Sequence, residues 1–168
     1  HAGGDGASAL SCGLHNNTNA PIEMVEAKYP VTFTRYGLIP DSGGAGEFRG
    51  GLGLVREWRL EADAGKLGAH FERFRFPPHG VQGGQHGSLS SMTITHPDGS
   101  RTPLRSKISG IPLKCGDVVT IETSGGGGFG DPLKRDPQRV AKDLADGMVS
   151  PEKAVSLYGA SAQTGVAA

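Results

Sequence analysis

The loudest chemical signal in this chain is Ser124–Pro132, a serine followed by GGGGFGDP. Gly125, Gly127 and Gly130 satisfy the GxGxxG spacing with which a backbone wraps a pyrophosphate. Such a site needs a helix opening at the loop itself, and here Asp131-Pro132 intervenes before the first helix signal at Asp136. The loop therefore reads as one packed closely against another backbone, or as one presenting the amides of Gly125, Gly126, Gly127 and Gly128 to a ligand or partner. A second candidate is Glu72-Arg73-Phe74-Arg75. As a strand it turns Glu72 and Phe74 to one face and Arg73 and Arg75 to the other. Paired guanidiniums can hold a carboxylate or phosphate through two-pronged bonds; the plainer reading is a solvated strand face or an interface ion pair. Asn16, Asn17 and Asn19, with Glu23, place polar groups around Pro21, where they serve either a ligand or a set of Asx turns. His79 and His86 share a loop that could bring them onto one metal ion. Zinc asks for three or four convergent ligands, and no acid or thiol stands at ligand spacing, so surface or capping histidines are the simpler reading. A Ser/His/Asp order, a nucleophile elbow and a P-loop are all missing. By themselves these residues name no reaction.

The elements that must position them are mostly short strands. Val31–Tyr36 and Leu54–Leu60 alternate apolar and polar residues, as does Ala69–Phe76, and Val118–Thr123 is rich in β-branched side chains. Met92–Thr95 runs into Pro97-Asp98-Gly99, a turn in which proline presets φ and glycine accepts a positive one. Asp41–Gly53 and Pro77–Gly87 are too dense in glycine and proline for helix. The character changes at Asp136-Pro137, an N-cap followed by proline, with Val140 and Leu144 on one face and Gly147 as the stop. Ser150-Pro151 repeats the start signal and Gly159 the stop. The expectation is a mainly β (α+β) fold: a compact glycine-rich body of about six to eight short strands with two short C-terminal helices. Residues 1–20 read as a loop or linker, 21–133 as the β-rich body, 134–160 as the helical segment and 161–168 as a frayed tail.

Composition narrows the class. The chain has 168 residues, enough for one domain, with 36% hydrophobic and 20% charged residues. Its 28 glycines show no collagen-like period, so they serve turns, left-handed positions and close approaches. The 17 basic and 17 acidic side chains cancel, which removes the field that nonspecific nucleic-acid binding needs. Neither a membrane-span-length apolar run nor a signal-peptide pattern is present. Cys12 and Cys115 leave a disulfide open, with a reduced, cytoplasmic chain the simpler reading. A start at His1 reads as a processed or truncated product of something longer.

Order and length of the motifs carry more than any one of them. Asn17–Glu26, Tyr29–Glu57, Glu72–Gly84 and Gly116–Leu144 follow in series and end in DGMVSPEKAVSLYG. From about His15 to Gly159 the chain resembles the C-terminal region of the hydantoinase B/oxoprolinase family. The resemblance implies a C-terminal fragment or split small subunit of a B-type component. Such a component works in an ATP-dependent hydrolase of hydantoin, lactam or 5-oxoproline rings. Ketone carboxylation and a non-catalytic structural module are the alternatives. The implied partners are an A-type subunit that holds ATP and Mg, a B-type N-terminal chain and a small-molecule substrate, in a hetero-oligomer. A divalent metal would belong to the B-type N-terminal part, and the isolated chain is expected to be inactive and poorly stable. Relatives carry a His-x-His-like stretch before the Asn-Thr-x-Asn segment. Here Ser11-Cys12-Gly13 precedes Leu14-His15, and His79 replaces the usual aromatic residue after Pro77-Pro78.

Overall fold

Alternation decides where most strands lie. In the computed structural model, which describes residues 3–9 and 19–160, β2 (Leu54–Leu60) buries Val55 and Leu60, and β7 (Val118–Glu122) buries Val119 completely. With β1 (Val31–Leu38), β4 (Ser91–Thr95) and β5 (Arg101–Pro103) they form a five-stranded antiparallel sheet of order β1-β2-β7-β4-β5. A separate antiparallel ribbon pairs β3 (Ala64–His70) with β6 (Lys107–Lys114). The two sheets share one core of Leu60, Leu67, Met92, Ile94, Leu113 and Val119. Burial of such side chains is the main source of stability in a chain this rich in glycine. Met92, 2% exposed, is a fair gauge of it: Met92→Ala is expected to cost about 2–5 kcal/mol in a denaturant melt, by lost transfer energy and the cavity left behind.

The turn at Pro97-Asp98-Gly99 forms as its chemistry requires. Gly99 takes φ +83°, and Asp98 Oδ1 accepts from the Ser100 amide at 2.8 Å. Behind it, His96 Nδ1 lies 2.8 Å from buried Asp117 and its Nε2 3.0 Å from Thr102 Oγ1, which ties the β4–β5 hairpin to the turn before β7. The C-terminal caps also behave as read. Asp136 accepts from Gln138 N at the start of α2 (Pro137–Ala145), and Ser150 from Lys153 N at the start of α3 (Pro151–Tyr158). Gly159 closes α3 in the left-handed conformation. Both helices pack with Ala45 into a second small core of Val140, Val149, Ala154 and Tyr158.

Three elements differ from expectation. The segment after Pro21 opens with a helix, α1 (Ile22–Lys28), whose Glu, Met, Ala and Lys are good helix formers and whose charges suit the dipole. β6 went unread because Gly110 and Pro112 interrupt it; a two-stranded ribbon leaves room for a strand proline. The strand expected over Ala69–Phe76 ends instead at His70, and its pairing partner lies in β6. Beyond it Arg73 takes φ +65°, so Glu72-Arg73-Phe74-Arg75 is a bent connection without two alternating faces.

Candidate functional site

Three glycine-rich connections, Ser42–Gly53, Gly80–Ser88 and Ser124–Gly130, come together and hydrogen-bond to one another. Gly44 N donates to Gly126 O at 2.8 Å, Gly126 N to Gly51 O at 2.8 Å and Gly128 N to Gln85 O at 2.8 Å. Gln85 N donates to Ala45 O at 2.7 Å, and Phe48 and Phe129 exchange both backbone bonds. Side chains would not fit in this weave. A Cβ on Gly125 would stand 2.0 Å from Ser42 O, and one on Gly128 2.1 Å from Ala45 O. The four glycines from Gly125 to Gly128 avoid the left-handed region, so close approach is the reason for them. Their amides are largely engaged inside the chain: Gly125 N donates to Ser88 Oγ, Gly126 N to Gly51 O and Gly128 N to Gln85 O. The candidate cofactor loop is thus enclosed by other backbone segments, and the described residues do not fit a phosphate cradle there.

A buried ionic network pins the helices to the weave. Asp143 on α2 accepts from Arg49 Nε and Nη2, both at 3.2 Å, and from Arg135 Nη2 at 2.7 Å. Arg135 also grips Asp5 with both terminal nitrogens, at 2.7 and 3.0 Å, while Asp5 Oδ1 accepts from the Arg49 amide. Arg49, Arg135 and Asp143 are each about 95% buried. Tyr158 lies beneath the Arg135 guanidinium, 5.7 Å away, and burial pushes its hydroxyl pKa up. Burial alone would raise the Asp5 carboxyl. The Arg135 hydrogen bond, the Arg49 amide and both guanidinium charges outweigh it and hold Asp5 below the ordinary value of 3.8. Its contribution is therefore complete above that value and is lost as pH falls through the depressed one. Melts from pH 7 to pH 2 should show Asp5→Asn less stable at neutrality but less acid-sensitive, the two curves converging at the acid end.

The remaining candidates fall in separate places. Asn19 bridges Arg56 (2.8 Å) and the Tyr36 hydroxyl (3.0 Å) on the exposed β1–β2 surface, where Arg56 lies over the Tyr36 ring. Asn16 and Asn17 lie outside the described residues, as does Cys12; Cys115 is exposed. Glu72 pairs with Lys107 at 3.1 Å, both exposed, and Arg73 stands beside it in a groove with Phe74, Arg75, Phe76 and Ser106. Among the described residues, no hydrogen bond joins Asn19 to Glu72 or Arg73. His79 and His86 do meet, edge to face with ring centres 4.7 Å apart, and His86 Nδ1 accepts from Gly80 N. Among the described residues no three His, Cys, Asp or Glu side chains gather as a metal would require. Sequence reasoning missed the Arg49–Asp143–Arg135–Asp5 network. Its one local signal was Asp143, a charge lying between Val140 and Leu144 on the apolar face of α2.

A family model described as hydantoinase B/oxoprolinase matches residues 1–132. The chain is 34% identical over 158 residues to the B-type subunit of the putative D-/L-hydantoinase of Pseudomonas sp. (strain NS671), covering 94% of this chain and 26% of that protein. Among solved structures, the ATP-dependent caprolactamase from Pseudomonas jessenii aligns with a TM-score of 0.72 at 33% identity, over 83% of this chain and 24% of that one. The nucleotide-free structure of acetone carboxylase aligns with a TM-score of 0.74 at 22% identity, over 94% and 25%, and shares the fold. The chain spans about a quarter of the length of the first curated relatives it matches. Among the described residues no helix is long and apolar enough to cross a membrane.

Proposed function

The chain belongs to the hydantoinase B/oxoprolinase family, and from that premise we propose that it is the C-terminal module of a B-type component in an ATP-dependent cyclic-amide hydrolase. It stands there as a fragment or split small subunit, in a cytoplasmic hetero-oligomer with an A-type subunit and a B-type N-terminal chain. The observation that carries the ring-amide reading is the identity to relatives named for a ring amide, which exceeds that to acetone carboxylase. It is 33–34% to a caprolactamase and a hydantoinase component, both named for ring amides. The likeness to acetone carboxylase, at 22%, supports the fold alone.

In this reading ATP and Mg sit on the A-type subunit, where phosphorylation of the ring carbonyl oxygen makes it a leaving group. Reacting groups and any divalent metal belong to the remainder of the B-type component. This chain supplies frame: the weave's amides and the network's charges are directed inward, which favours a supporting role over a reacting one. The test is to isolate the native assembly, identify its subunits and follow ATP consumption with hydantoin, caprolactam or 5-oxoproline, without bicarbonate. Consumption that follows the cyclic amide supports the proposal. Consumption that needs a ketone and bicarbonate sinks it in favour of carboxylation.

A further inference from the structure

We propose that the groove beside β6, walled by Phe74 and Phe76 and rimmed by Arg73, Arg75 and Arg105, binds a carboxylate or phosphate carried on an aromatic or apolar body. This inference stands apart from the reaction the family chain serves. Two adjoining hollows, about 360 and 540 Å³, share Phe74, Arg75 and Ser106; Glu72, Arg73 and Phe76 also line the first and Arg105 the second. Both volumes fall in the range that takes a small molecule.

Cations outnumber acids here in a chain that is neutral overall, with Arg73, Arg75 and Arg105 against Glu72. Among the described residues, Arg73, Arg75 and Arg105 enter no ion pair, while the acid beside them, Glu72, is held by Lys107. Unpaired planar guanidiniums, Arg73 and Arg75 on the first hollow and Arg75 and Arg105 on the second, suit two-pronged recognition of a carboxylate or phosphate. The apolar wall is anchored at one end and open at the other. Phe74 packs against the main core, whereas Phe76 is 72% exposed and leaves its ring for a flat ligand body.

The backbone is committed to this arrangement. Arg73 holds φ +65°, a conformation uncommon for a long side chain and typical of positions where function sustains strain. Its carbonyl accepts from Ser90 N at 2.9 Å, and Phe71 N donates to Ser106 O at 2.7 Å, which joins the two walls of the groove. Glycine would take the same φ without strain. Arg73→Gly is therefore expected to keep the fold and lose affinity.

The experiment is a ¹⁵N NMR titration of the full chain with phenyl phosphate, benzoate and phenol. Saturable shifts confined to residues 72–76 and 104–107, given by either anion and not by phenol, are expected. The anion that binds more tightly identifies phosphate or carboxylate as the group recognised. Replacing Arg73, Arg75 and Arg105 together by glutamine should abolish the shifts while the rest of the spectrum stays unchanged. Arg105→Gln alone should weaken binding about two- to five-fold, the range for an exposed charge pair, and it serves if the triple variant does not fold. The absence of saturable shifts, an equal response to phenol, or undiminished binding in the variants would overturn the proposal.

Discussion

Asp143→Ala is expected to remove about 3–5 kcal/mol of stability, the range for breaking a buried charge pair from one side. Asp143 is the shared acceptor of two guanidiniums, Arg49 and Arg135, each about 95% buried. Without it, Arg49 keeps the Gly50 carbonyl and Met148 sulfur, and Arg135 keeps Asp5 and the Glu47 carbonyl, so among the described residues the Arg49 guanidinium loses its only carboxylate partner. A domain of ordinary stability, about 5–15 kcal/mol, would be left near its unfolding limit. Equilibrium denaturation reads the loss directly. Replacing Arg49, Arg135 and Asp143 together by apolar residues should cost far less than the sum of the single changes, because no fully buried charge is then left unpaired, and partly exposed Asp5 keeps Arg139 at 3.7 Å and the residue-49 amide. Equal costs would mean that the three side chains act independently.

Gly128→Ala is expected to be nearly as damaging, at the upper end of the 1–3 kcal/mol typical of overpacking or about 3 kcal/mol and beyond. Its added methyl would meet Ala45 O at 2.1 Å, Ala45 C at 2.6 Å and Gly44 O at 2.6 Å. All are backbone atoms held by hydrogen bonds, so no side chain can swing aside. Gly37 is the control: a Cβ there meets nothing within 4 Å and its φ is not left-handed. Gly37→Ala should be neutral or stabilise by about 0.4–1 kcal/mol through the unfolded chain. Thermal melts of the two variants side by side would decide whether the weave is rigid. Similar midpoints would mean that its strands yield.

Short-range patterns were enough for much of this protein. Alternation placed β1 and β2, β-branched content placed β7, the Pro97-Asp98-Gly99 turn placed the β4–β5 hairpin, and Asp136-Pro137 and Ser150-Pro151 placed two helices, because each signal acts within a few residues of itself. Motifs in series also carried the family, which the matching model and relatives show. Local pattern misled where one backbone angle intervened. The alternation of Glu72-Arg73-Phe74-Arg75 looked like a strand, and the positive φ of Arg73 bends it out of the sheet. The weave and the ionic network were beyond sequence reasoning for another reason. The glycine count announced close approaches without saying which backbones approach, and the network joins Arg49 to Asp143 across 94 positions and Arg135 to Asp5 across 130. Only the folded chain brings those groups within 3.2 Å, since nothing local to any of them encodes its partner.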